Sequence, residues 1–195
     1  MTPRLSKAIL ASHITFSIGW LGAVAVFLVL AITGLTSQDV LLVRSSLIAM
    51  ELSAWFVIVP FCVTSLFTGV IQAVGTKWGL FKHYWIVVKL FLTVASTILL
   101  LLHMQPISYL SGVAANPSFS NLQHSAQLID LITKAGAAIL VLLSITTISI
   151  YKPWGRIQLT AEIKKSWTSY AVIAIIGLIL IIIIKHLFGG GMQGH

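Results

Sequence analysis

The chain has 195 residues, of which 58% are hydrophobic and 8% charged, with a mean hydropathy of +1.03; a soluble domain carries about 25% charged residues, so a soluble fold is excluded. A net charge of +8 would suggest nucleic acid in a soluble protein. Here the charges sit in short loops between apolar runs, where membrane topology and anionic headgroups account for them, and no nucleic-acid partner is expected.

Five apolar stretches, at about 8–34, 46–74, 84–104, 126–150 and 167–187, are each long enough to cross ~30 Å of hydrocarbon, which takes about 20 helical residues. Lipid offers backbone groups no hydrogen-bond partners, so each is expected to be a helix. The pattern predicts an all-α integral membrane bundle of five transmembrane helices in a single domain over 1–195. Four would form a polar core and the fifth would pack outside it.

The first stretch carries His13, Ser17 and Trp20 on one face. Ala23-Val24-Ala25 mimics a signal-peptidase site, but the apolar run continues to Gly34, so cleavage is not expected. The second contains Cys62, the only cysteine, which excludes an internal disulfide, and Pro60, which predicts a kink. Residues 105–123, uncharged and with turn signals at Gly112 and Asn116-Pro117, read as a long loop. The fourth ends at Tyr151-Lys152-Pro153, and the fifth has an entirely apolar middle. The tail from Gly189 to His195 reads as flexible.

Orientation follows from lysine and arginine. The N-terminus (Arg4, Lys7), the second loop (Lys77, Lys82) and the fourth loop (Lys152, Arg156, Lys164, Lys165) hold eight of the twelve. This predicts a bacterial inner-membrane protein with its N-terminus in the cytoplasm and its C-terminus outside. Trp78, Trp85, Trp154 and Trp167, with Tyr84, Tyr151 and Tyr170, gather at the inner boundary as an aromatic belt.

Function should lie in the ionisable side chains within the spans, because each costs several kcal/mol unless paired or wetted. His13, Glu51, Lys89, His103, Asp130 and Lys134 qualify. At ~100° per residue, Lys89, Ser96 and His103 share a face with Thr93 beside them, and Gln127, Asp130, Lys134 and Ser144 form a second stripe. Glu51, Cys62, Ser65 and Gly69 form a third, and the three are expected to face one another inside the bundle. Asp130 and Lys134 are spaced to pair within one helix.

Three readings follow. Neutral imidazoles ligate a b-type haem, with His103 and His124 near the outer side and His13 and His83 near the inner side. Alternatively, His103, His124, Glu51, Asp130 and His186 hold a transition metal, with copper favoured by His103-Met104 and by Met192 and His195. In the third, no cofactor is bound and the polar groups join helices. His103 is expected to matter most, with His124 as its co-ligand. No phosphate loop, catalytic triad or cysteine pair is present, so no enzymatic reaction is assigned.

The segment His13-Ile-Thr-Phe-Ser-Ile-Gly-Trp20-Leu-Gly22 resembles the opening of a bacterial family of small multi-pass membrane proteins known only as a domain of unknown function. The stretch from Trp78 to Lys89, Tyr151-Lys152-Pro153 and the glycine-rich, histidine-terminated tail add to that resemblance. More distantly, the His13–Trp20–Gly22 spacing looks like the membrane domain of copper-resistance protein D. The resemblance implies a helical membrane bundle, and its distant arm implies copper. Trp20 and Gly22 are also what close helix packing requires. The combined expectation is a redox or accessory component binding haem or metal through intramembrane histidines. Its rivals are a permease for a small solute or copper, and a structural partner in a membrane assembly or homo-oligomer.

Overall fold

The computed structural model describes residues 1–76, 79–116 and 124–153, together with Gly155, Ile157, Tyr170, Ala174 and Gly177. Helix α1 spans Pro3–Thr36; Thr2 Oγ1 accepts from the Leu5 amide at 3.4 Å and proline holds the first helical position. Three residues later α2 spans Val40–Ser53, where the Asp39 carboxylate accepts from the Leu41 amide at 2.9 Å. A π-helical turn, Ala54–Ile58, joins α2 without a break to α3, Val59–Gly75. Helix α4 spans Tyr84–Ala114 and α5 spans Ser125–Tyr151. Lys152 stops α5 in the left-handed conformation, φ 48°, with its amide bonded to the Ile148 carbonyl, and Pro153 prevents resumption.

Four helical segments, Pro3–Thr36, Val40–Gly75, Tyr84–Ala114 and Ser125–Tyr151, are long and apolar enough to cross a bilayer. This fits a multi-pass integral membrane protein. Helix α1 packs against α2, α3 and α5, and α4 packs against α2, α3 and α5, which puts α1 and α4 at opposite corners of an up-down-up-down bundle. Of the expected fifth span, 167–187, only Tyr170, Ala174 and Gly177 are described; the rest, with His186 and the tail, lies outside the described residues.

The third span does not end at residue 104: α4 runs unbroken through Pro106 to Ala114. Pro106 lies on the exposed side of the helix while Met104, Ile107, Leu110, Ser111 and Ala114 are buried. Packing on that face outweighs the missing hydrogen bond, and proline is tolerated in membrane helices. Pro60, in turn, is accompanied by a π-turn immediately before it, where the Val59 amide reaches back to the Ala54 carbonyl. This wider turn absorbs the residue that cannot donate.

The interior is mostly apolar, not a polar core. Trp20, Phe27, Leu47, Met50, Met104 and Leu128 belong to one buried cluster toward the distal end, where α1 meets α2 and α4 meets α5. At the N-terminal end, among the described residues, Leu66 and Val70 form a separate cluster with Leu90 and Val94 half-buried around them.

Candidate functional site: the His13 seam between helices α1 and α3

His13 is held between helices. Its Nδ1 lies 3.0 Å from the Ser65 carbonyl oxygen and 3.2 Å from Thr68 Oγ1. The Thr68 hydroxyl donates to the Thr64 carbonyl at 2.7 Å, so both partners of Nδ1 are acceptors. The neutral ring therefore carries its proton on Nδ1, and among the described residues the Nε2 lone pair has no hydrogen-bond partner. That arrangement is how metal-ligating histidines are usually oriented.

The local sequence makes room for the ring. A Cβ on Gly69 would sit 2.9 Å from His13 Cε1 and 3.3 Å from Nδ1, so only glycine lets the imidazole lie against α3. One turn further along, Ser17 and Ser65 hydroxyls meet at 2.7 Å. The same close approach appears at Gly19, where a Cβ would fall 2.5 Å from Phe61 Cε2. Trp20 is buried as expected, but Gly22 faces open space. The glycine that close packing requires is therefore Gly19.

Helix α4 supplies the cation of this end. Lys89 is half-buried, its Nζ 5.7 Å from the centroid of the Trp85 ring, and it lies within electrostatic reach of His13 and Lys152. The Ile157 amide donates to the Lys82 carbonyl at 2.9 Å, which brings the chain beyond α5 against the turn before α4. His83 is buried at the N-terminus of α4, 6.1 Å from Trp85 between ring centroids. Asp39, Glu51 and Asp130 are all placed toward the opposite end.

The other predicted residues do not gather with it. His103 is half-exposed and its Nδ1 donates to its own Leu99 carbonyl at 2.6 Å. His124 lies 6.0 Å from Tyr109 in an edge-on ring contact and 3.3 Å from Gln127 Oε1. Tyr109 is six residues beyond His103, about 9 Å along the helix. The matching depth expected of His103 and His124 rested on a span ending at 104, and the longer α4 removes it. Met104 is in the core while His103 is at its edge, so the pair does not converge. Glu51 is half-buried on α2. Among the described residues, no three His, Cys, Asp or Glu side chains come together as a metal site.

Asp130 and Lys134 form the expected ion pair at 2.5 Å, but both are about half exposed. The Gln127–Asp130–Lys134–Ser144 stripe faces out of the bundle, because α5 turns Leu128, Leu131, Ala135 and Leu142 inward. Lys134 is thus not an interior residue. Elsewhere in the interior the Cys62 thiol meets Thr97 Oγ1 at 3.1 Å and Trp55 Nε1 donates to Ser108 Oγ at 3.1 Å. Sequence reasoning missed Thr68 and the Ser65 carbonyl, whose signal was the Ser65–Thr68–Gly69 spacing opposite His13. No protein-family model, curated protein or solved structure matches the chain, so its function must be read from these residues.

Proposed function

We propose that this membrane protein is a redox accessory component that holds a b-type haem, with His13 as an axial donor. The observation that carries the reading is the orientation of His13, with Nδ1 committed to the Ser65 carbonyl and Thr68 and Nε2 without a partner among the described residues. Haem brings four nitrogens of its own and needs only one or two imidazoles from the protein. A bare copper ion needs more donors than this seam offers.

Two features favour a fit at this end. Leu66 and Val70 form an apolar cluster here that is separate from the main core, and Leu80, Trp85 and Ile86 are buried at the same end. Haem also carries two carboxylates, and Lys82, Lys89 and Lys152 stand at the same end. Bound there, haem would supply a one-electron couple. His13 would hold it, Ser65 and Thr68 would fix the ring of His13, and the lysines would balance the carboxylates. His83, buried at the start of α4, is the further imidazole on this side.

The test is the haem content of detergent-purified protein from haem-replete cells, measured by extraction and by the Soret band. Stoichiometric haem b supports the reading. Colourless protein refutes it and leaves the structural-partner reading.

A further inference from the structure

Glu51 is an ionisable side chain that neither the His13 seam nor the packing of the bundle uses. It lies on α2, about 17 Å along the helix from Val40 at ~1.5 Å per residue. The continuous segment Val40–Gly75 has 36 residues. A hydrocarbon layer centred on it takes about 20 of them, so Glu51 falls inside the layer. The side chain is half-buried, and among the described residues its carboxyl makes no hydrogen bond or ion pair.

Its line on α2 faces α4. Arg44, Glu51 and Trp55 follow one another at steps of seven and four residues, which is one side of a helix. Both ends of this line reach α4: Arg44 donates to the Ala114 and Ala115 carbonyls, and Trp55 Nε1 donates to Ser108 Oγ at 3.1 Å. Glu51 stands between these contacts, level with the stretch of α4 that carries Ser108 and the buried Ser111.

Among the described residues no cation is placed to answer it. Arg44 is about 10 Å away along the helix and is committed to the end of α4. From Met104 to Ala114, α4 has Tyr109 as its one ionisable side chain, exposed and set edge-on to His124. His103 is bonded within its own helix. Helix α1 has no charged residue beyond His13, and Lys134 of α5 is paired with Asp130 on the outward face.

An isolated carboxylate in a low-dielectric setting is costly, and such a group takes a proton instead of staying charged. We infer that Glu51 is an intramembrane proton-binding site on the α2–α4 seam. Its carboxylate takes one proton from water at the distal end and returns it there. The site lies away from His13 and does not rest on the haem reading.

Labelling in native membranes with dicyclohexylcarbodiimide, an apolar carbodiimide, tests this. The reagent adds to a protonated carboxyl: the proton goes to a carbodiimide nitrogen, the carboxyl oxygen bonds to the carbodiimide carbon, and nothing is released. Mass spectrometry of the digested protein should find the adduct on Glu51 severalfold more than on Asp39 or Asp130, and labelling should slow as the pH is raised. A water-soluble carbodiimide with glycine ethyl ester should give the reverse order. Glu51→Gln should abolish the apolar label at unchanged elution volume. Glu51 labelled chiefly by the water-soluble reagent overturns the inference, because the carboxylate is then wetted. Labelling by neither reagent overturns it as well, because a cation then holds the group. So does apolar labelling that is the same at every pH.

Discussion

At the scale of single residues, three glycines separate packing from permissiveness. Gly19 and Gly69 sit where a Cβ would meet Phe61 at 2.5 Å and His13 at 2.9 Å, whereas Gly22 meets nothing. Gly19→Ala and Gly69→Ala should each destabilise the protein by about 1–3 kcal/mol through overpacking. Gly22→Ala should be neutral or stabilise by up to about 1 kcal/mol, because alanine is the better helix former. Thermal unfolding in detergent ranks the three, and equal effects would contradict the α1–α3 approach. His13 was legible as a candidate, but its bonded orientation was not, nor was the place of His103 at the edge of the core. Helical periodicity puts a residue on a face without revealing the carbonyl it reaches or the glycine opposite.

At the scale of elements, the distal end of α4 is held by α2. Arg44 Nε donates to the Ala114 carbonyl at 2.6 Å and Nη2 to the Ala115 carbonyl at 2.7 Å, which satisfies acceptors that a helix C-terminus leaves open. Arg44→Ala should cost about 1–2 kcal/mol and speed amide exchange over the last turn of α4. Arg44→Lys should restore only part, since an ammonium lacks the fork. Pro106 provides a second check. In a helix interior proline is disfavoured by ~3 kcal/mol, so Pro106→Ala should hold or raise the melting temperature; in a loop the same change would lower it. The four described spans were readable from hydropathy because apolar length is decisive in a membrane. The extension of α4 was not, since Pro106, Gly112 and an uncharged polar run carry the signals of a loop. The direction of the α5 stripe was also hidden: periodicity groups Asp130, Lys134 and Ser144 on one face but does not say whether that face meets the bundle.

At the scale of the whole molecule, the division of charge predicts an orientation in the membrane. With eight of twelve cationic residues in the N-terminus and the second and fourth loops, a reporter fused within 152–165 should be cytoplasmic and one fused after His195 should be outside. A cytoplasmic C-terminus would remove the span expected at 167–187. With that expected orientation, the His13 seam would lie on the cytoplasmic half with Lys89 and Lys152, and the cluster of Leu47, Met50 and Leu128 on the other. The functional reading rests on the orientation of His13 in its seam. It is tested most directly by visible spectra of three detergent-purified proteins from haem-replete cells: wild type, His13→Ala and His103→Ala. The expected result is a Soret band in wild type and His103→Ala, absent from His13→Ala at unchanged elution volume. A band that survives in His13→Ala, or a colourless wild type, would contradict it.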